Sequence, residues 1–193
     1  MAKIRIFNAA HSALAYLCQL SQIDYVAQGI VDPIFAAFIT RLQEELGRSF
    51  TPPAGLGPIE YARTVRKRIS NPMLLHRSSQ IAMDGSQKLP QRFFTPANDL
   101  LAAGLPTVRI TLAIATWLHY LATNVVVNDP LAWQLQPVAR NRDAATAVEK
   151  VLGAQALVTS VDKALLPAIT AWLEELRRAP VRELLLELER RPV

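Results

Sequence analysis

Cysteine occurs once, at Cys18, and histidine only three times. A single thiol excludes an internal disulfide, and without a second cysteine or clustered histidines no zinc site of ordinary spacing is expected. Cys18 falls in an apolar helical pattern and reads as a small buried hydrophobe rather than a nucleophile. Glycine is scarce too: the seven glycines are scattered, and none builds a Gly-x-Gly-x-x-Gly turn after a strand pattern. No Gly-rich turn joins two alternating runs, so a sheet of any size is not expected. The longest apolar run, Ile110 to Ala122, is too short to span a bilayer and contains His119. The N-terminus passes directly into Lys3-Ile4-Arg5 with no secretory pattern, which makes the cytoplasm the simplest compartment.

What the chain has in quantity is apolar residues: 51% of 193 residues, with mean hydropathy +0.17. This excludes disorder and fits one domain with a real core. The value is high for a domain of this size and points to an apolar face that something else covers. A further domain docked on it is the first candidate; a second copy in a homodimer, or another protein, would also serve, and a non-catalytic helical interaction module is the alternative to an enzyme domain. Net charge is +5 and the pI about 9.7, yet the cations form no single tract. Arg63, Arg66, Lys67 and Arg68 lie opposite an apolar stripe of Ala62, Val65 and Ile69, as a solvated helix face does. Arg177, Arg178, Arg190 and Arg191 stand among glutamates. No aromatic-basic interleaving or nucleic-acid motif accompanies them, so neither nucleic acid nor membrane is expected as a partner.

Helical periodicity covers nearly the whole chain, predicting an all-α, multi-helix domain over 1–193. The first helix is expected from Asn8 to Gln19, preceded by an extended Lys3-Ile4-Arg5-Ile6-Phe7 run. Asp24 is expected to cap a short helix ending near Gly29. Asp32-Pro33 opens the next, with a stripe of Phe35, Phe38, Ile39, Leu42 and Leu46 and a stop at Gly47. Residues 51–58 read as a loop, Ile59 to Ile69 as a helix and Pro72 to Met83 as another. Asp84-Gly85-Ser86 breaks it, and Ser86 is expected to cap a helix whose first turn holds Lys88, a cation at the unfavourable end of the dipole. Thr107 to Thr123 is the most hydrophobic helix, expected at the centre with Trp117 filling core volume and Arg109 snorkelling to its edge. Asn128-Asp129-Pro130 starts another helix, Asp143 caps Ala144 to Leu152, and Ser160 to Arg178 and Val181 to Arg190 complete the chain.

The chemistry concentrates at the start. Lys3, Asn8 and His11 place an amine, an amide and an imidazole within nine residues. Each has an ordinary structural role open to it: a solvated lysine, a helix cap, a core histidine. Together they suit hydride exchange between a secondary alcohol and a ketone. An amine takes the hydroxyl proton, an amide donates to the alkoxide-like oxygen, and an imidazole holds a neighbouring hydroxyl.

The pattern Lys3-x4-Asn8-x2-His11 resembles the signature of the polyol-specific long-chain dehydrogenases, the family of mannitol dehydrogenase, arabinitol dehydrogenase and fructuronate reductase. A second stretch agrees with it. After Asn71-Pro72 comes His76-Arg77-Ser78-Ser79-Gln80-Ile81-Ala82-Met83-Asp84-Gly85-Ser86-Gln87-Lys88-Leu89-Pro90-Gln91-Arg92, which is similar to the uronate-reducing branch. The likeness covers only the C-terminal half of the family's architecture. It implies a helical substrate domain whose N-terminal Rossmann domain, in cis in a longer protein or in trans, binds NAD or NADP. It further implies a metal-independent reaction in which Lys3 is the general base, Asn8 and His11 hold the substrate and Lys88 binds it. Where the mannitol-oxidising branch has an arginine eight residues before that lysine, this chain has Gln80, which favours a keto-uronate such as fructuronate over fructose. Without a cofactor domain, the chain is expected to be inactive by itself. Lys3, Asn8, His11 and Lys88 are expected to line one cleft.

Overall fold

The computed structural model describes residues 1–55, 57–154, 157 and 159–190; Leu56 of the 51–58 loop and Arg191 lie outside them. Twelve α-helices occur among the described residues: α1 (Ala9–Leu20), α2 (Val26–Val31), α3 (Pro33–Gly47), α4 (Pro58–Ile69), α5 (Ser78–Ala82), α6 (Gly85–Leu89), α7 (Thr95–Ala102), α8 (Val108–Thr123), α9 (Ala132–Ala139), α10 (Ala144–Leu152), α11 (Leu166–Arg178) and α12 (Val181–Arg190). No strand is present among those residues; a lone antiparallel bridge joins Tyr25 to Arg77. The all-α expectation holds.

Two helices are buried almost all round. Every residue from Ala9 to Cys18 in α1 is buried, as is every residue from Ile110 to Leu118 in α8. Helices apolar on every side belong in the centre, and α8 packs on α1, α3, α9 and, most extensively, α11. Alanines at 9, 10, 13 and 15 keep α1 narrow enough for close neighbours. The outer helices are one-sided. Phe35, Phe38, Ile39, Leu42 and Leu46 of α3, and Ala62, Val65 and Ile69 of α4, face inward as their spacing predicts.

The helix ends follow local chemistry. The Asp32 carboxylate accepts from the N–H groups of Ile34 (2.8 Å) and Phe35 (3.4 Å), and Pro33 takes the first position of α3. Asp143 caps α10 through Thr146 N–H at 2.7 Å. Glu45 caps α8 from a distance, accepting from the N–H groups of Arg109 (3.1 Å) and Ile110 (2.8 Å). Arg109, expected to snorkel, instead pairs with Glu189 of α12 at 3.3 Å.

Several boundaries differ from expectation. Tyr25 rather than Asp24 precedes α2, its N–H donating to Gln28 Oε1 at 3.3 Å, and the helix continues to Val31. Helix α9 begins at Ala132, two residues after Pro130, because Asp129 spends its carboxylate on a turn (Leu131 N–H, 2.9 Å) and on another helix. Asp162 caps a short 3-10 turn, Lys163–Leu165, so α11 starts at Leu166 rather than near Ser160. No helix among the described residues is long and apolar enough to cross a membrane.

Candidate active site

Lys3–Asn8 is not extended. It forms a π-helical segment that runs without interruption into α1, and Ala9 N–H donates to the Ile4 carbonyl. Asn8 has helical backbone angles and its side chain caps nothing. The alternation of Lys3, Ile4, Arg5 and Ile6 misled because Arg5 is an interior residue. Its guanidinium donates to the Ser49 carbonyl and hydroxyl (3.0 Å to Oγ) and pairs with Asp99 at 2.5 Å. With Ile6 buried beside it and Gln43 Nε2 donating to the Ile6 carbonyl at 3.3 Å, the segment is anchored from inside. Lys3 is left exposed on the outer side, in a groove of about 170 Å³ shared with Phe7, Tyr61, Thr64, Val65 and Arg68.

The second stretch also departs from a simple helix. Residues 71–77 are irregular, and only Ser78–Ala82 is helical where Pro72 to Met83 was expected. The segment is strapped to the beginning of α2. Val26 N–H donates to the His76 carbonyl (3.2 Å) and Ser78 N–H to the Asp24 carbonyl (2.7 Å). Ser78 Oγ donates to the Ile23 carbonyl at 2.7 Å and accepts from Gln19 Nε2 at 2.8 Å. These tertiary bonds replace the intrahelical ones that the periodicity implied.

At Asp84 the chain turns through the left-handed region, φ 55°, and α6 begins. Gly85 is required there: a Cβ would lie 2.5 Å from Trp117 Nε1 and 2.7 Å from the Tyr16 hydroxyl. Ser86 is not the cap. It is the second helical residue, and its N–H (2.7 Å) and Oγ–H (2.6 Å) both donate to the Asp129 carboxylate, which caps the helix from outside. Lys88 falls in the last turn of the five-residue α6 rather than in its first. Its ammonium folds back to the Met83 carbonyl at 2.7 Å and lies 3.5 Å from the Asp84 carboxylate. Gln80 is exposed on α5.

Helix α6 continues through a second π-helical segment, Pro90–Phe94, in which Thr95 N–H donates to the Pro90 carbonyl, and then into α7. Pro90 has no N–H to complete an ordinary turn, which accounts for the wider one. The two π-helical segments pack against each other. Arg92 joins them, donating to Ser12 Oγ at 2.7 Å and to the Asn8 carbonyl at 3.4 Å. π-Helical turns are rare and concentrate at functional sites, so finding both on the two motif-bearing stretches, in contact, marks this corner of the fold.

His11 lies at the same corner, 8% exposed. Its ring centre is 5.6 Å from Phe7 and 5.7 Å from His76, and its Nε2 is buried without a hydrogen-bond partner. Burial, reinforced by the His76 and Arg92 charges, pulls its pKa down from 6.5 to about 4. The ring is therefore neutral at pH 7, offering one donor and one acceptor nitrogen, and an unsatisfied buried nitrogen is the kind of group a substrate hydroxyl completes.

Arg92 reaches the Asn8 backbone carbonyl, His11 lies against Phe7 and His76, and Lys3 shares a groove with Phe7. Lys88 stands one helical turn before Arg92 with its amine turned toward Met83 and Asp84. Sequence reasoning did not anticipate that Arg92 ties to Ser12 or that His76 packs against His11. The Lys88-x3-Arg92 spacing on one helix was the available signal for the first. Cys18 is buried as expected, with its thiol pushed up to about 12 by burial. No group of three metal-ligating side chains occurs among the described residues.

The mannitol dehydrogenase C-terminal domain family matches residues 1–177. The D-mannonate oxidoreductase of Escherichia coli K12 is 35% identical over 161 residues, 79% of this chain and 33% of that protein. The mannitol 2-dehydrogenase of Phaeosphaeria nodorum is 33% identical over 144 residues, 71% of this chain and 25% of that protein. In the solved ternary complex of Pseudomonas fluorescens mannitol 2-dehydrogenase with NAD and D-mannitol, a similar fold covers 99% of this chain and 40% of that one, with TM-score 0.89 and 25% identity. The chain therefore spans about a third of the length of these relatives. Sequence, helical architecture and the paired motif stretches agree, and the chain belongs to the mannitol dehydrogenase C-terminal domain family.

Proposed function

We propose that this chain is the substrate-binding and catalytic half of a metal-independent NAD(P)-dependent oxidoreductase. The reaction interconverts a polyol or hexonate with its ketose or keto-uronate, and the uronate-reducing type fits best. Two features support the sugar acid: Gln80 in place of an arginine, and the net positive charge. The single observation that carries the reading is the contact between the two π-helical segments, with Arg92 tying them and the unsatisfied His11 nitrogen beside them.

The residues present do not make a dinucleotide site: among the described residues no strand precedes a Gly-rich turn or helix N-terminus. Nicotinamide, which accepts or supplies the hydride, belongs to a Rossmann domain joined in cis or in trans, and the chain alone is inactive. This chain's own side chains act on the substrate. Lys3 exchanges a proton with the hydroxyl oxygen of the reacting carbon. Asn8 donates its side-chain N–H to that oxygen, and His11 Nε2 completes a hydrogen bond with a neighbouring hydroxyl. Lys88 turns from its local partners to bind the substrate. The reaction is assigned to the cytoplasm.

The test is an NMR titration of the chain with D-mannonate and D-mannitol, following the His11 ring signals. A saturable shift that His11→Ala abolishes supports the site; an unmoved His11 at saturating sugar refutes it. Measurable NADH oxidation with fructuronate by the chain alone would refute its dependence on a second domain.

A second reading rests on a separate surface. Val31 (67% exposed) and Leu75 (68%) line a groove together with Tyr25 and Leu74, and Met73 (84% exposed) is close to it in sequence. As an interaction module, the chain would use this face to dimerise, and sedimentation measurements across a concentration range would show it.

A further inference from the structure

Lys3 and Arg68 line one groove that contains no carboxylate. Neither makes an ion pair among the described residues. The other cations of α4 are placed differently: Arg66 donates to Gln43 Oε1 at 2.7 Å, and Arg63 and Lys67 do not line the groove. Arg68 alone lies over Phe7, its guanidinium carbon 5.9 Å from the ring centre. The same ring centre lies 5.6 Å from the His11 ring centre. Phe7 therefore neighbours both a guanidinium and the unsatisfied imidazole. Two cations sharing a small groove repel each other unless an anion joins them. A guanidinium already oriented by an aromatic face gives a carboxylate a planar, two-pronged partner at little further ordering cost.

We infer that Arg68 is the specificity residue for an acidic sugar: it binds the terminal carboxylate, with Phe7 as the shelf beneath the carbon chain and His11 on the hydroxyls. The inference rests on the substrate site proposed above and names what that site selects. D-mannonate and D-mannitol differ only at the terminal carbon, a carboxylate in one and a hydroxymethyl group in the other, so they isolate this contact. A guanidinium–carboxylate bond at a partly solvated site favours the acid about tenfold.

The experiment is titration of the wild-type chain, Arg68→Gln and Lys67→Gln with both sugars, monitored at the Phe7 and His11 ring signals. All three proteins keep their fold, because both replaced side chains are exposed. The expected result is that mannonate moves both rings and binds about tenfold tighter than mannitol. Arg68→Gln then removes that preference without weakening mannitol, and Lys67→Gln retains it. A preference that survives Arg68→Gln, or that falls equally in Lys67→Gln, overturns the assignment while leaving the His11 site standing. No movement of His11 by either sugar overturns the site reading, and this inference with it.

Discussion

His11 makes folding stability depend on acid in a way that one substitution reveals. Its pKa falls from 6.5 in a solvated chain to about 4 in the fold, because protonation would place a charge in a dry position beside His76 and Arg92. Between these values the unfolded chain binds a proton that the folded chain refuses. The stabilisation is therefore complete above pH 6.5 and is lost as pH falls toward 4. At 1.36 kcal/mol per unit, the loss is on the order of 3 kcal/mol. Glu45 works in the opposite sense. Burial raises its carboxyl to about 7, against the pull of the Arg109 and Ile110 N–H groups, so its contribution is present at low pH and lost as pH rises through 7. Since Glu45 is common to both proteins, the difference between wild type and His11→Gln isolates the histidine. Urea unfolding at steps from pH 4 to 7.5, read by tryptophan fluorescence, should show wild type losing about 3 kcal/mol relative to the variant on acidification. Parallel pH profiles, or a His11 ring signal titrating near 6.5, would refute the claim that the ring is dry and held neutral.

Four other outcomes follow from the packing. Arg5→Met strands Asp99 and the Ser49 groups and should cost about 3 kcal/mol in urea unfolding. Gly85→Ala drives a Cβ against Trp117 and Tyr16 and should cost about 1–3 kcal/mol with a shift in tryptophan emission, whereas an unshifted spectrum and full stability would show that the corner can yield. Glu45→Gln removes the contribution that opposes His11, so stability should rise more steeply between pH 4.5 and 7 than in wild type. Cys18 should stay unreactive toward a thiol reagent in the native state at pH 8 and react fully in denaturant.

The helices most legible in the sequence were those whose stability is local. Asp32-Pro33, Asp143 and the α8 run carry their own start signals and periodicity, and the structure follows them closely. The motif stretches were the least legible. Lys3–Phe7 alternates like a strand, but a buried arginine bonded to Ser49 and Asp99, both far along the chain, outweighs that local pattern. Residues 72–77 have helical spacing, but bonds to residues 24–26 hold them open. Ser86 looks like a cap, but an aspartate 43 positions on performs that role. In each case a partner distant in sequence decided the local structure, and no window of neighbouring residues contains that information.

The same distinction divides the motif residues by their work. Asp84, Gly85 and Ser86 do structural work: a left-handed turn, a close approach to Trp117 and Tyr16, and a tie to Asp129. They fix the direction in which the helix leaves, and so the height at which Lys88 and Arg92 stand. Arg92 in turn holds the α1 start by the Asn8 carbonyl and Ser12. Lys3 and the Asn8 side chain make no bond in that frame, whereas Lys88 is held by the Met83 carbonyl and the Asp84 carboxylate and His11 is packed against Phe7 and His76. A frame built by one set of residues and functional groups borne by another is what positioning a polar substrate requires, since the groups that contact it must not also carry the fold. Neutralising Lys3 should therefore leave the unfolding free energy within about 0.5 kcal/mol of wild type, while Arg92→Ala, which cuts the tie between the motifs, should lower it by about 1–3 kcal/mol. Equal losses from the two substitutions would show that the amine and the guanidinium share one structural task, and would remove the distinction.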